Sequence, residues 1–181
     1  CGLRALAAAP DLSGLTPLVT EFQKWIAELP ARIDPTAGAR DAAEAKREQE
    51  AFAAHIKAWT LESEAIAAGI ALLEESRAHW SAPGPQADPK AIPYEAWRAM
   101  NETMANLMQR QRGDDNGQWY LFQLAFILAS LPAVVTRMPE FRHHYNPKRD
   151  DSVTLLYFST GGGKSEAFFG LLAFTLFFDR L

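Results

Sequence analysis

Three consecutive glycines, Gly161 to Gly163, followed directly by Lys164 and Ser165, constrain the fold of this chain more than any other segment. Consecutive glycines allow a tight backbone turn whose N–H groups point at one anion. The preceding run, residues 153–158, is apolar and partly β-branched, which is typical of a buried parallel strand, and a helical pattern follows from Ser165 onward. A strand, a glycine-rich turn and a helix in this order predict a phosphate-binding loop.

The predicted loop assigns a role to each of its residues. The backbone of Thr160 and of glycines 161, 162 and 163 would surround phosphate oxygens, at the positive end of the dipole of the following helix. Lys164 would reach the β- and γ-phosphates, and the Ser165 hydroxyl would complete the shell of a Mg²⁺ ion. We therefore predict ATP and Mg²⁺ as ligands, Lys164 and Ser165 as catalytic residues, and Ser165 as the metal ligand. A glycine-rich turn with an incidental Lys-Ser pair is the alternative.

The residues before the loop carry the periodicity of helices. Apolar side chains recur at helical spacing over residues 15–29, which Pro30 and Asp34-Pro35 close, and over residues 94–112. Residues 40–81 contain no helix breaker except Gly69, and their apolar positions alternate in steps of three and four residues. This spacing predicts a helical hairpin rather than a dimerising coiled coil. Because Ala and Leu dominate the composition, we expect a mostly α protein.

The segment from Gly113 to Gly117 is the strongest boundary signal. After it, residues 119–131 are almost wholly apolar, which indicates a helix buried in a larger body, and residues 132–151 are predicted to be a loop. We therefore divide the chain into an all-helical region, residues 1–117, and the start of a nucleotide-binding region, residues 118–181.

Charge and cysteine content exclude some classes of protein. The formal net charge is -4, so no general excess of Lys and Arg marks the chain as a nucleic-acid binder, although a local basic patch would suffice. Cys1 is the single cysteine, which rules out a disulfide within the chain and favours a reducing, cytoplasmic setting. The sequence contains no run of about 18 apolar residues, so it predicts no membrane span.

The loop also resembles that of a particular class of motor. Phe158 replaces the first glycine of the general pattern G-x-x-x-x-G-K-[ST]. Residues 160–165, Thr-Gly-Gly-Gly-Lys-Ser, resemble motif I of superfamily-2 helicases, with Ser159 at a position where Pro is common and Ser165 where Thr is common. Together with residues 122–128 and 155–176, this loop is similar to the helicase subunit of DISARM-type bacterial anti-phage systems.

The resemblance implies an ATP-dependent DNA helicase or translocase. It implies a helical N-terminal region that leads into the first strand, the P-loop and the helix of a RecA-like α/β lobe, with DNA and a companion scaffold subunit as partners. Hydrolysis also needs an acidic pair on a later strand and an arginine finger, so we expect residues 1–181 to be part of a longer chain and to be inactive alone. A P-loop kinase or switch, and a non-enzymatic helical interaction module, are the alternatives.

Gln123 and the pair His143-His144 are further candidates. The resemblance implies that the Gln123 amide contacts adenine, for which its donor and acceptor are suited; the alternative is an amide bonded to neighbouring backbone in the core. Adjacent histidines with no carboxylate at suitable spacing favour a surface loop over a metal site.

Overall fold

The chain is helical throughout the residues that the computed structural model describes, which are 2–8, 11–113, 117–151 and 163–181. The helices are α1 (Leu3–Ala8), α2 (Thr16–Arg32), α3 (Ala42–Arg77), α4 (Ile92–Arg112), α5 (Leu121–Val135), α6 (Pro147–Asp150) and α7 (Lys164–Phe178). Three short 3-10 helices cover Ser13–Leu15, Pro89–Ala91 and Pro139–His144. Within these ranges the only β pairing is an isolated antiparallel bridge between Gly2 and Gln118.

The prediction of a RecA-like α/β lobe is wrong. Helix α7, which was expected to pack on a parallel sheet, lies instead against the helices α4 and α5. The described residues build no sheet that could receive it, and the apolar side chains of α7 that become buried, such as Phe174, join the core of the helical region. The predicted strand, residues 153–158, lies outside the described residues.

The hairpin of long helices is confirmed. Helices α2 and α3 pack together, with the rings of Trp25 and Trp59 centred 5.1 Å apart. The Asp41 side chain begins α3 by accepting a hydrogen bond from the Glu44 N–H at 2.8 Å, which satisfies a donor that the helix leaves open. Helix α2 ends at Arg32, between the two predicted stop signals Pro30 and Asp34-Pro35, and Pro30 lies inside its last turn.

The tightest helix crossing lies between α3 and α5. At Gly69 an added Cβ atom would stand 2.0 Å from the Leu128 carbonyl oxygen. Pro132, four residues after Leu128, carries no N–H to bond that carbonyl, and its ring pushes against it. The glycine therefore leaves room for a carbonyl that has no N–H partner four residues later in its own helix.

Helix α4 runs through the centre of the core. Tyr94, Trp97 and Met100 are fully buried, and α4 packs against α1, α3 and α7. The helix ends where the sequence predicts, because Gly113 takes the left-handed conformation, φ 65°, that commonly follows a helix. Residues on both sides of position 117 contribute to the same hydrophobic cluster. The predicted division into residues 1–117 and 118–181 stays a prediction.

The segment predicted as a loop, residues 132–151, is largely helical. Helix α5 continues through Pro132 to Val135, and the 3-10 helix Pro139–His144 and α6 follow. Sequence reasoning treated Pro132 as a stop, whereas a proline inside a helix removes one backbone hydrogen bond and need not end the helix. Across the described residues, no helix combines the length and the apolar character that crossing a membrane requires.

Candidate nucleotide-binding site

The described part of the predicted loop begins at Gly163, directly before α7. Gly163 has φ 86° and ψ 20°, a left-handed conformation that a residue with a side chain rarely adopts. It is the N-cap of a helix of 15 residues. The first turn of that helix leaves backbone N–H groups without intrahelical partners, and the helix dipole adds positive potential there. This end of α7 is therefore suited to an anion.

Lys164 and Ser165 form the first turn of α7, as the predicted loop requires. Lys164 is half-buried and Ser165 is exposed. Glu166 lies in the same turn, where a carboxylate gains from the helix dipole. Thr160, Gly161 and Gly162 lie outside the described residues, so their contacts with phosphate stay predictions, as do the roles of Lys164 and Ser165.

Gln123 connects the candidate loop to α5. Its side chain is 1% exposed. The amide oxygen accepts a hydrogen bond from the Tyr120 N–H at 2.8 Å, and the amide nitrogen donates one to the Gly163 carbonyl oxygen at 2.7 Å. The first bond caps the start of α5 and the second fixes the residue before α7. The amide thus has backbone partners, and a contact with adenine stays a prediction.

A glycine and a buried series of hydrogen bonds position the middle of helix α7. A Cβ atom added to Gly170 would stand 2.7 Å from the Trp119 ring, so the glycine permits this close approach. The Trp119 indole N–H donates to the Asn101 side-chain oxygen at 2.8 Å, and the Asn101 amide donates to the Trp97 carbonyl at 2.9 Å. Sequence reasoning selected neither Trp119 nor Asn101; a polar Asn in the apolar pattern of α4 was the available signal.

The opposite side of α7 exposes a stripe of apolar side chains. Phe168, Leu172 and Leu176 recur every fourth residue and are each 50–56% exposed, and Phe169 beside them is 54% exposed. Contiguous apolar surface of this kind is typical of a site that contacts another protein segment.

His143 lies at the surface as expected, but the expected loop is a 3-10 helix and the expectation that no carboxylate is suitably placed is wrong. Both Nε2 atoms lie within hydrogen-bond distance of one oxygen of Glu75, His143 at 2.9 Å and His144 at 2.8 Å. Glu75 belongs to α3, 68 residues earlier than His143, so local spacing could not reveal it. Burial favours a raised pKa for the Glu75 carboxyl, but the hydrogen bonds from His144 and His143 outweigh it and hold the pKa below its ordinary value.

Comparison with known proteins relates part of the chain to a defence protein. Over 67 residues, 37% of the chain, it is 43% identical to the DISARM protein DrmA of Bacillus paralicheniformis (strain ATCC 9945a / NCIMB 11709 / CD-2). The match covers 5% of the length of that relative. No protein-family model matches the chain. No solved structure matches it either. The similarity supports a relation to DISARM anti-phage proteins.

Proposed function

We propose that this chain contributes the ATP-binding site of an ATP-dependent DNA helicase or translocase in a DISARM-type anti-phage system. The observation that carries the proposal is the geometry at the start of α7, where left-handed Gly163 precedes Lys164 and Ser165 in the first turn. The similarity to a DISARM protein supports the defence role.

The residues at the start of α7 have the chemistry that a nucleotide requires. Gly163 allows the backbone to approach phosphate closely, and the Lys164 ammonium offers a point charge to its oxygens. The Ser165 hydroxyl is exposed and would ligate Mg²⁺, which when bound neutralises the phosphate charge. Thr160, Gly161 and Gly162 would extend the cradle. Gln123 would hold Gly163 in place and, by the resemblance, would face adenine.

The role of Lys164 is tested in the full-length protein. We expect Lys164→Ala to lower DNA-stimulated ATP turnover by about 100-fold or more, the loss typical of one preorganised charge-stabilising group. Lys57→Ala is the matched control, because Lys57 is exposed on α3. Undiminished turnover in Lys164→Ala would refute the site. Turnover that DNA does not stimulate would favour a P-loop kinase or switch over a motor.

The ligands of the proposed motor also set its partners and its location. ATP, Mg²⁺ and DNA meet in the bacterial cytoplasm, where we place the protein. A companion scaffold subunit is proposed from the resemblance to the DISARM helicase subunit. Strand-displacement and co-purification assays of the full-length protein test both partners.

A helical interaction module is the second candidate, and the apolar stripe on α7 favours it. In that case Phe168 and Leu172 would bind a protein segment, and the glycine-rich loop would hold no nucleotide. Calorimetry with ATP and Mg²⁺ separates the two candidates, because only the motor binds nucleotide. Retained ATP binding in a Phe168→Ser, Leu172→Ser variant would show that the stripe is not needed for the nucleotide site.

A further inference from the structure

Glu75, His143 and His144 bring three metal-ligating groups together at the junction of α3 and the 3-10 helix Pro139–His144. One carboxylate oxygen and two imidazole nitrogens all lie within 4.8 Å of one another. The two imidazole rings are centred 4.3 Å apart. Glu75 and the two histidines lie in segments far apart in sequence, so it is the fold that brings them together.

Two of the three groups are held in place by the surrounding structure. The His144 ring lies beside the fully buried ring of Phe141, with centroids 6.2 Å apart, and the His144 carbonyl accepts a hydrogen bond from Arg149 at 2.6 Å. Glu75 follows the buried residues Leu72 and Leu73 on the rigid helix α3. His143 is the adjustable member, since 58% of its side chain is exposed.

We propose that Glu75, His143 and His144 bind a divalent transition-metal ion of the Zn²⁺ class. Two imidazoles and one carboxylate form a ligand set that zinc uses, with bond lengths of about 2.0–2.2 Å and a fourth position open to water. Around such an ion, neighbouring ligand atoms stand about 3.3 Å apart. The two separations from the Glu75 oxygen, 2.8 and 2.9 Å, need to widen by about half an ångström, and the two imidazole nitrogens already lie within 4.8 Å of each other. The exposed His143 side chain can make most of this adjustment.

Nitrogen ligands separate this site from a Mg²⁺ site. Mg²⁺ prefers an all-oxygen, octahedral shell, whereas imidazole suits Zn²⁺ and its neighbours in the transition series. The bound ion would link α3 to the 3-10 helix Pro139–His144 and stabilise the folded state, because Glu75 is not held close to the two histidines in the unfolded chain. The inference does not depend on nucleotide binding.

The test is to titrate the metal-free chain with Zn²⁺ alone and to measure binding by calorimetry and stability by thermal unfolding. We expect one site per chain and a rise in Tm of about 5–10 °C at a hundredfold excess of free ion over Kd. Co²⁺ should give the visible absorption of a low-coordinate complex with nitrogen ligands. Mg²⁺ should give neither effect.

Three variants decide whether these side chains are the ligands. Glu75→Gln and His143→Gln should each weaken Zn²⁺ binding by more than the 10- to 100-fold that loss of an outer-shell partner costs. His79→Gln is the matched control and should bind like the parent chain, because His79 pairs with Asp88 elsewhere. His143 is exposed, so its replacement leaves the fold intact.

The outcomes are distinguishable. Zn²⁺ binding that is lost in Glu75→Gln and His143→Gln but kept in Lys164→Ala supports the metal site, whatever the fate of the nucleotide site. No binding by the parent chain, or equal binding by the parent and by His143→Gln, overturns the proposal. The three side chains would then form only a hydrogen-bonded cluster.

Discussion

The crossing of α3 and α5 makes a sharp prediction for Gly69→Ala. By helix propensity alone, replacing a glycine in the middle of a helix with alanine stabilises a protein by about 1 kcal/mol. In this structure we expect the substitution to destabilise the protein instead. The new Cβ atom would stand 2.0 Å from the Leu128 carbonyl oxygen and 2.7 Å from its carbon, whereas ordinary contacts begin at 3.4 Å. Both atoms are backbone, so no side-chain rotation relieves the clash.

The magnitude follows from how far the helices must separate. Restoring ordinary contact moves the Leu128 oxygen about 1 Å or more away, and a gap of that size forfeits up to about half of the dispersion energy between facing atoms. Overpacking a well-packed core costs about 1–3 kcal/mol and at times more. Because the contact here is with backbone, we take about 3 kcal/mol, which leaves a net loss near 2 kcal/mol after the propensity gain. For a chain of 181 residues that lowers Tm by about 4–8 °C.

Urea unfolding and thermal denaturation measure this loss directly. Gly14→Ala is the matched control, because a Cβ atom at Gly14 meets nothing within 4 Å. That change should alter the free energy of unfolding by less than about 0.5 kcal/mol. If Gly69→Ala proves as stable as the parent chain, or more stable, the close crossing of α3 and α5 is wrong.

Two further variants probe buried polar contacts. Glu95→Ala should lower the free energy of unfolding, measured with urea, by about 3–5 kcal/mol. The reason is that the buried Glu95 carboxylate accepts hydrogen bonds from Trp80 at 2.6 Å and Gly84 at 2.9 Å. A loss no larger than that of the exposed control Glu48→Ala would contradict the buried contact. Gln123→Ala should speed hydrogen exchange at residues 167–169, the first amides bonded within α7, more than in its last turn, because the bond to the Gly163 carbonyl is lost. An equal change along the whole of α7 would show that Gln123 does not hold that end.

The helices α2, α3 and α4 could be predicted because their determinants are local. Residues 94–112 were expected to be helical and α4 covers Ile92–Arg112, since apolar periodicity and a glycine cap act within a few turns. Pro132 was misread as the start of a loop. Helix α5 continues past it to Val135, and Gly69 on the neighbouring helix leaves room for the Leu128 carbonyl, which Pro132 cannot hydrogen-bond.

The environment of α7 could not be predicted, because a motif specifies local order and not the surface on which it packs. Gly163, Lys164 and Ser165 begin a helix as the pattern predicts. The surface that receives the helix depends on Gly170, which lets α7 approach Trp119, and on contacts with α4. Spacing likewise failed for His143, because its carboxylate partner Glu75 is 68 residues away.

The proposed nucleotide site and the crossing of α3 with α5 are connected through α5. Leu128, which faces Gly69, lies five residues after Gln123 on α5, and Gln123 holds the Gly163 carbonyl at 2.7 Å. A hydrogen bond tolerates much less than an ångström of stretch before it weakens. A shift of α5 of about 1 Å in Gly69→Ala would therefore loosen the residue that precedes Lys164. If Gly163 carries phosphate binding as proposed, Gly69→Ala should weaken ATP binding in protein that is still folded, although Gly69 is not part of the nucleotide site.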